Sequence, residues 1–192
     1  MQPTSHQNRL PETIEHTLPD GSIYKTFTPK DAVNLIHVWA NHAWPMTKQQ
    51  AFELRDALGW VASPENDCVF YNQIQIGERT NGYMTIDKHS QHLSTISFTL
   101  TTFASDGLEP AVEDLLEELY ELCRQSLQSK YGKGKNSADD IVTSCEWRLP
   151  SKGLIYLARI SRCINVVIDA PEMAKVTEAE NAYFEYFGPD AP

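Results

Sequence analysis

Ile96-Ser97-Phe98-Thr99-Leu100-Thr101 decides the fold class. Apolar side chains alternate with hydroxyls at period two, the mark of a strand with one face on a core and one toward water. The same period extends upstream. Cys68, Phe70, Ile74 and Ile76 lie on one side of an alternating run broken at Asn72, Gly77 to Gly82 makes a turn, and Tyr83 to Asp87 continues the pattern. These segments read as an antiparallel meander with one apolar and one hydroxyl-rich face.

Downstream the period changes to that of a helix. Pro110 opens the longest helical pattern, with Val112, Leu115, Leu116, Leu119 and Leu122 as its apolar stripe. Tyr131-Gly132-Lys133-Gly134-Lys135-Asn136-Ser137 ends that helix in what the composition predicts to be a mobile basic loop. A second block of strands follows. Ile141, Thr143, Cys145, Trp147 and Leu149 share a face, and Pro150 to Gly153 turns the chain. Leu154 to Ile160 and Cys163 to Ile168 are apolar enough for central strands joined near Ser161-Arg162. Asp169-Ala170-Pro171-Glu172 caps a last helix, with Met173, Val176, Tyr183, Phe184 and Phe187 as its expected packing face.

Two helices precede the first strands. Thr28-Pro29-Lys30-Asp31 supplies a hydroxyl N-cap, a proline at the first helical position and an acid in the first turn, after which Ala32, Leu35, Ile36 and Trp39 recur at helical spacing. Thr47-Lys48-Gln49-Gln50 is a capping box that opens a second helix through Leu58, and Gly59 stops it. Residues 1–27 are polar and rich in proline, which predicts a loosely ordered tail with Ser22 to Phe27 as an edge strand. The expectation is one α+β domain over residues 28–192. Its elements run ααβββαβββα, with a mostly antiparallel sheet of about six strands and helices packed on one face.

The tryptophans fit that plan. Trp39 and Trp44 bracket the end of the first helix, Trp60 follows the stop of the second, and Trp147 lies in a strand. Rings at such places pin helices to a sheet. Trp39, Trp60, Phe98, Leu116 and Phe184 are the expected core or core-rim residues.

With 192 residues, 16 basic against 26 acidic and a net charge of −10, the chain can build its own core and repels nucleic acid and anionic membranes. No apolar run is long enough to span a bilayer, and the first residues lack a basic-then-apolar signal region, so a cytoplasmic protein is expected. Cys68, Cys123, Cys145 and Cys163 are too far apart for a short-spaced zinc motif and read as reduced core residues.

Candidate chemistry is sparse. His89 and His92 flank a turn, and His37 and His42 flank Trp39 at a spacing that does not align two ligands on a helix, so no metal is expected. Gly132-Lys133-Gly134-Lys135 has a helix before it and a strand after it, the reverse of a phosphate-binding loop. No nucleophile elbow or metalloprotease motif occurs, so no catalytic residue and no cofactor is assigned. The helix from Glu109 to Glu121 is the exception to this blandness. It carries Glu109, Glu113, Asp114, Glu117, Glu118 and Glu121 with no basic residue before Arg124, more acid than capping or the helix dipole requires. Glu113, Glu117, Glu118 and Glu121 are the candidate partner-binding residues, competing with a merely solvated face.

Trp39 with Trp44-Pro45, Thr47 opening a helix that ends Leu58-Gly59-Trp60, then a sheet, a long helix and Trp147-Arg148-Leu149-Pro150 together resemble a family of small, uncharacterised actinobacterial proteins. That family in turn resembles the immunity proteins of secreted polymorphic toxins. The resemblance spans about residues 28 to 188 and implies a cytosolic protein that binds and blocks a cognate toxin domain, as a monomer or weak homodimer, without cofactor or chemistry. It implies no particular binding residue. The helix–sheet–helix–sheet–helix layout also resembles small secretion chaperones, which dimerise and hold an extended partner segment. An enzyme of unrecognised type is the remaining alternative, because spatial triads can hide from sequence.

Overall fold

A computed structural model describes residues 9–187, leaving out the side chains of Phe184, Glu185 and Phe187. The first expected helix, α1 (Pro29–Ala40), forms as read. The Thr28 hydroxyl accepts from the Asp31 amide, and Ala32, Leu35, Ile36 and Trp39 are buried. In α2 (Lys48–Ala57) both halves of the Thr47/Gln50 capping box are made. The helix stops at Gly59, whose φ of 71° an L-residue adopts only at a cost.

The chain is α+β, and its large sheet is antiparallel throughout. The strands are β3 (Val61–Ser63), β4 (Asn66–Tyr71), β5 (Gly82–Ile86), β6 (Leu93–Thr99), β7 (Lys135–Ala138), β8 (Val142–Arg148), β9 (Leu154–Ile160) and β10 (Cys163–Asp169). They lie in the order β3-β4-β5-β6-β10-β9-β8-β7, so the two apolar strands β9 and β10 are central. The sheet thus has eight strands rather than about six. The additions are edge strands of three and four residues, too short for a period of two to reveal. One of them, β7, lies in the segment expected to be a mobile loop. A side chain at Gly134 would come within 2.8 Å of Trp147 Cε2, so glycine lets the loop press onto β8. The Trp147 indole N–H donates to Gly132 O at 3.1 Å across the same junction.

The N-terminal expectation also needs correction. The strand expected over Ser22 to Phe27 forms as β2 (Ile23–Phe27), but it pairs with an unexpected β1 (Thr13–Thr17) in a separate antiparallel hairpin, so residues 13–17 are not a loose tail. Leu18, Tyr24 and Phe27 enter the same core as α1 and the sheet, and Phe27 N–H donates to Leu100 O. Residues 1–8 lie outside the described residues.

Pairing register assigns every strand residue to a face. On the apolar face, Phe70, Ile96, Phe98, Ile155, Leu157, Ile164, Val166, Ile168, Cys145 and Trp147 form the core with Trp39 and Trp60. Trp60 stacks on Phe70 at 4.9 Å and on Trp39 at 5.9 Å, locking the exits of α1 and α2 to the sheet. The helix α3 (Glu109–Tyr131) lies on this face, against β8, β9, β10 and α1. Its buried stripe is Val112, Leu116, Leu119, Tyr120, Cys123 and Leu127. Leu122 is 40% exposed, because Tyr120 and Cys123 take the inward positions the leucine pattern alone suggested for it.

The helices do not all share one face. α4 (Pro171–Phe187) touches β6 and β10 from the polar side, where Thr177 donates to Asp169 at 3.0 Å and Arg148 pairs with Glu178 at 2.8 Å. Among its described side chains Ala174 is buried and Met173, expected to pack, is half-buried, while Val176 and Tyr183, also expected to pack, are exposed. The expected contribution of Phe184 and Phe187 lies outside the described side chains. Among the described residues no helix is long and apolar enough to cross a membrane.

Candidate functional site

The acids of α3 share its outer side but differ in their partners. At about 100° per residue, Glu113, Glu117, Glu121 and Glu118 fall within an arc of about 140°. Glu117 pairs with Arg159 of β9 at 3.0 Å, and Glu121 is gripped by the Arg124 guanidinium at 2.8 Å. Hydrogen bonding from Arg124 holds the Glu121 carboxyl below its usual range. Glu109 at the helix start pairs with Arg162 at 2.7 Å. Glu113, Asp114 and Glu118 are exposed and have no ion pair among the described residues. Glu113 is joined by Asp139 and Asp140 from the β7–β8 turn in a shallow cleft that Arg159 closes. The four candidate acids therefore do not stand equally free. Two are already neutralised by arginines of this chain, and the fold adds two aspartates that no helical spacing could reveal.

The second site is on the polar sheet face, which α4 covers only at one end. Thr85, Thr95, Ser97, Thr99 and Asn165 are on this face, together with Val61, Tyr71, Val69 and Tyr83. Val61 is 63% exposed and Tyr83 49%. A cleft of about 500 Å³ opens here, floored by β4, β5, β6 and β10 and walled by residues 74–81 and 101–103. Its outer wall is tied down by paired asparagines. Asn81 Nδ2 donates to Asn72 Oδ1 at 2.7 Å, the Asn72 amide donates back to Asn81 Oδ1 at 2.8 Å, and Asn72 Nδ2 reaches Thr99 O at 3.1 Å. At the mouth the Arg79 guanidinium lies 3.9 Å from the centroid of the Phe103 ring. The hydroxyl face was legible in sequence. The cleft was not, since it needs the 74–81 turn folded back over β5 and β6. Ile76 is accordingly exposed at the cleft rather than continuing a buried strand.

The buried thiols of Cys123, Cys145 and Cys163 are poor nucleophiles. Burial pushes Cys123 up to about 12 and Cys163, on the cleft floor, up to about 11. Of the histidines, His89 is exposed in its turn, while His37 Nδ1 lies 3.2 Å from the Tyr131 hydroxyl. Among the described residues no three His, Cys, Asp or Glu side chains come together as a metal site.

A model of a family of unknown function, DUF6301, matches residues 30–170, from α1 to the end of β10, and the chain belongs to that family. No curated protein and no solved structure matches it.

Proposed function

We propose that this DUF6301 protein is a non-enzymatic, cytoplasmic binding protein that blocks a cognate toxin domain, in the manner of the immunity proteins its sequence resembles. The observation that carries this reading is the open half of the polar sheet face. Large apolar side chains, Val61 and Tyr83, stand exposed among hydroxyls and amides there, the mix of anchor and polar contact that protein interfaces use. The partner docks on that face, and the unpaired acids Glu113 and Glu118, with Asp139 and Asp140, attract a basic partner to the molecule. Glu117 and Glu121 contribute mainly through the net field, since their charges are compensated within the chain.

The test is co-expression with the product of the adjacent gene, followed by pull-down and host survival. Wild-type protein binds and protects. Val61→Asp with Tyr83→Asp abolishes both while the protein stays folded. Protection that survives the double substitution refutes the docking face, and failure of the wild-type protein to bind or protect refutes the neutralising role.

A second reading, a secretion-chaperone-like protein, draws on β3 and β7, the outermost strands of the large sheet among the described residues, since a sheet edge can accept an added strand. Mass measurement separates the two: a stable free dimer that holds an unfolded partner segment favours the chaperone.

A further inference from the structure

We infer that the cleft on the polar sheet face is a binding site for a small apolar monocarboxylate, an aryl or medium-chain alkyl acid. The inference stands on the cleft's own chemistry and does not require the toxin reading.

Size and lining come first. About 500 Å³ is within the range of small-molecule pockets, and Val69, Ile76, Tyr83, Phe103 and Ile160 give the cleft an apolar body. Most of its hydroxyls and amides donate within the chain, Ser97, Thr99, Thr101 and Thr102 among them, which leaves Arg79 and Asn165 as donors toward a ligand. Among the described residues no Asp or Glu lines the cleft, although the chain carries 26 of them. Arg79 is its cation, and among the described residues this arginine has no carboxylate partner. Stacking on Phe103 limits the directions its guanidinium can take, which lowers the entropy lost on binding. Deeper in, Asn165 Oδ1 accepts from the Ser97 hydroxyl at 3.2 Å, so the amide N–H groups of Asn165 are left to donate.

The neighbouring charges sharpen the preference. Asp106 and Glu109, the nearest acids along the chain beyond Phe103, are both engaged by Arg162, so they do not compete for Arg79. A planar guanidinium fork and an amide match a carboxylate's two oxygens. Arg162 lies 5.7 Å from the same Phe103 ring but is neutralised by Asp106 and Glu109, so Arg79 offers a ligand compensation for one negative charge, which disfavours phosphates. The Cys163 thiol on the floor stays neutral, its proton held by burial against the opposing pull of Arg79. The paired Asn72 and Asn81 hold the outer wall in place before any ligand arrives.

The experiment uses the full chain in ligand-observed NMR and calorimetry, with octanoate and phenylacetate as probes and octanamide and phenylacetamide as matched neutral controls. Each acid is expected to bind at least about tenfold more tightly than its amide, the effect of one charge-assisted hydrogen-bond pair. Arg79→Gln removes that preference and leaves the weak amide affinity. Arg79→Lys restores part of it, because the charge returns without the fork. The exposed position of Arg79 keeps these variants folded, which circular dichroism checks. Equal affinity for acid and amide, an undiminished preference in Arg79→Gln, or no binding of either acid at millimolar concentration overturns the inference.

Discussion

The hydroxyl of Thr177 donates to the carboxylate of Asp169 at 3.0 Å, and the other oxygen of that carboxylate accepts from Thr95 at 2.7 Å. Asp169 is only 6% exposed, on the polar face at the end of β10, and this contact joins α4 to the sheet from the side opposite α1 and α3. Among the described side chains of α4, Val176 and Tyr183 are exposed, and the buried Asp169 carboxylate supplies a polar anchor for the helix. Asp169→Ala leaves two hydroxyls without their acceptor and is expected to cost about 1–3 kcal/mol in denaturant unfolding. Limited proteolysis should show α4 cut earlier than in the wild type. An unchanged midpoint and an unchanged cleavage pattern would place the anchor elsewhere.

Leu116 lies under α3 at 1% exposure, in contact with the core of β8, β9 and β10. Its replacement by Ala is expected to destabilise by about 2–5 kcal/mol, whereas Leu122→Ala, on an exposed position, should stay within about 0.5 kcal/mol. Chemical denaturation of the two variants side by side checks the helix phase directly, since the uncorrected leucine pattern predicts similar losses for both.

The acids of α3 separate into two experiments. Glu117→Gln breaks an exposed pair with Arg159 and should change stability by less than about 1 kcal/mol. Glu117→Lys would set a cation against Arg159, and Glu121→Lys would set one against Arg124, so their effects on a partner mix with local repulsion. Glu113→Lys with Glu118→Lys avoids that confusion. If a basic partner is drawn by the net field, this variant associates more slowly at low salt and the difference fades as salt is added. Identical association rates at all ionic strengths would exclude these acids from steering.

Burial, and then the nearby Lys130 ammonium, hold the pKa of His37 below its ordinary value of 6.5. Below that pH the unfolded chain binds more protons than the native one, so the stability linked to His37 is present above about pH 6.5. It is lost as pH falls through that value toward the folded pKa. His37→Gln should flatten this part of the stability profile. An NMR titration placing the His37 pKa at or above 6.5 would contradict the argument.

What the sequence determined by itself was whatever depends on neighbours a few residues away. The Thr28 and Thr47 caps, the stop at Gly59, the alternation of Ile96 to Thr101 and the centrality of Leu154 to Ile160 and Cys163 to Ile168 all follow from local hydrogen bonding and from the period of apolar residues. The hydroxyl-rich strand face was legible for the same reason. Tertiary structure decided what depends on long-range approach. The short strands β3 and β7 exist because larger strands offer them edges, and β7 because Gly134 leaves room for Trp147. Glu117 and Glu121 look alike in sequence, yet one meets an arginine 42 positions away on β9 and the other an arginine three positions on. The cleft joins Arg79 and Phe103 to Asn165 across three separate segments. Hydrophobic period records which way a side chain points, but not which distant side chain it will meet.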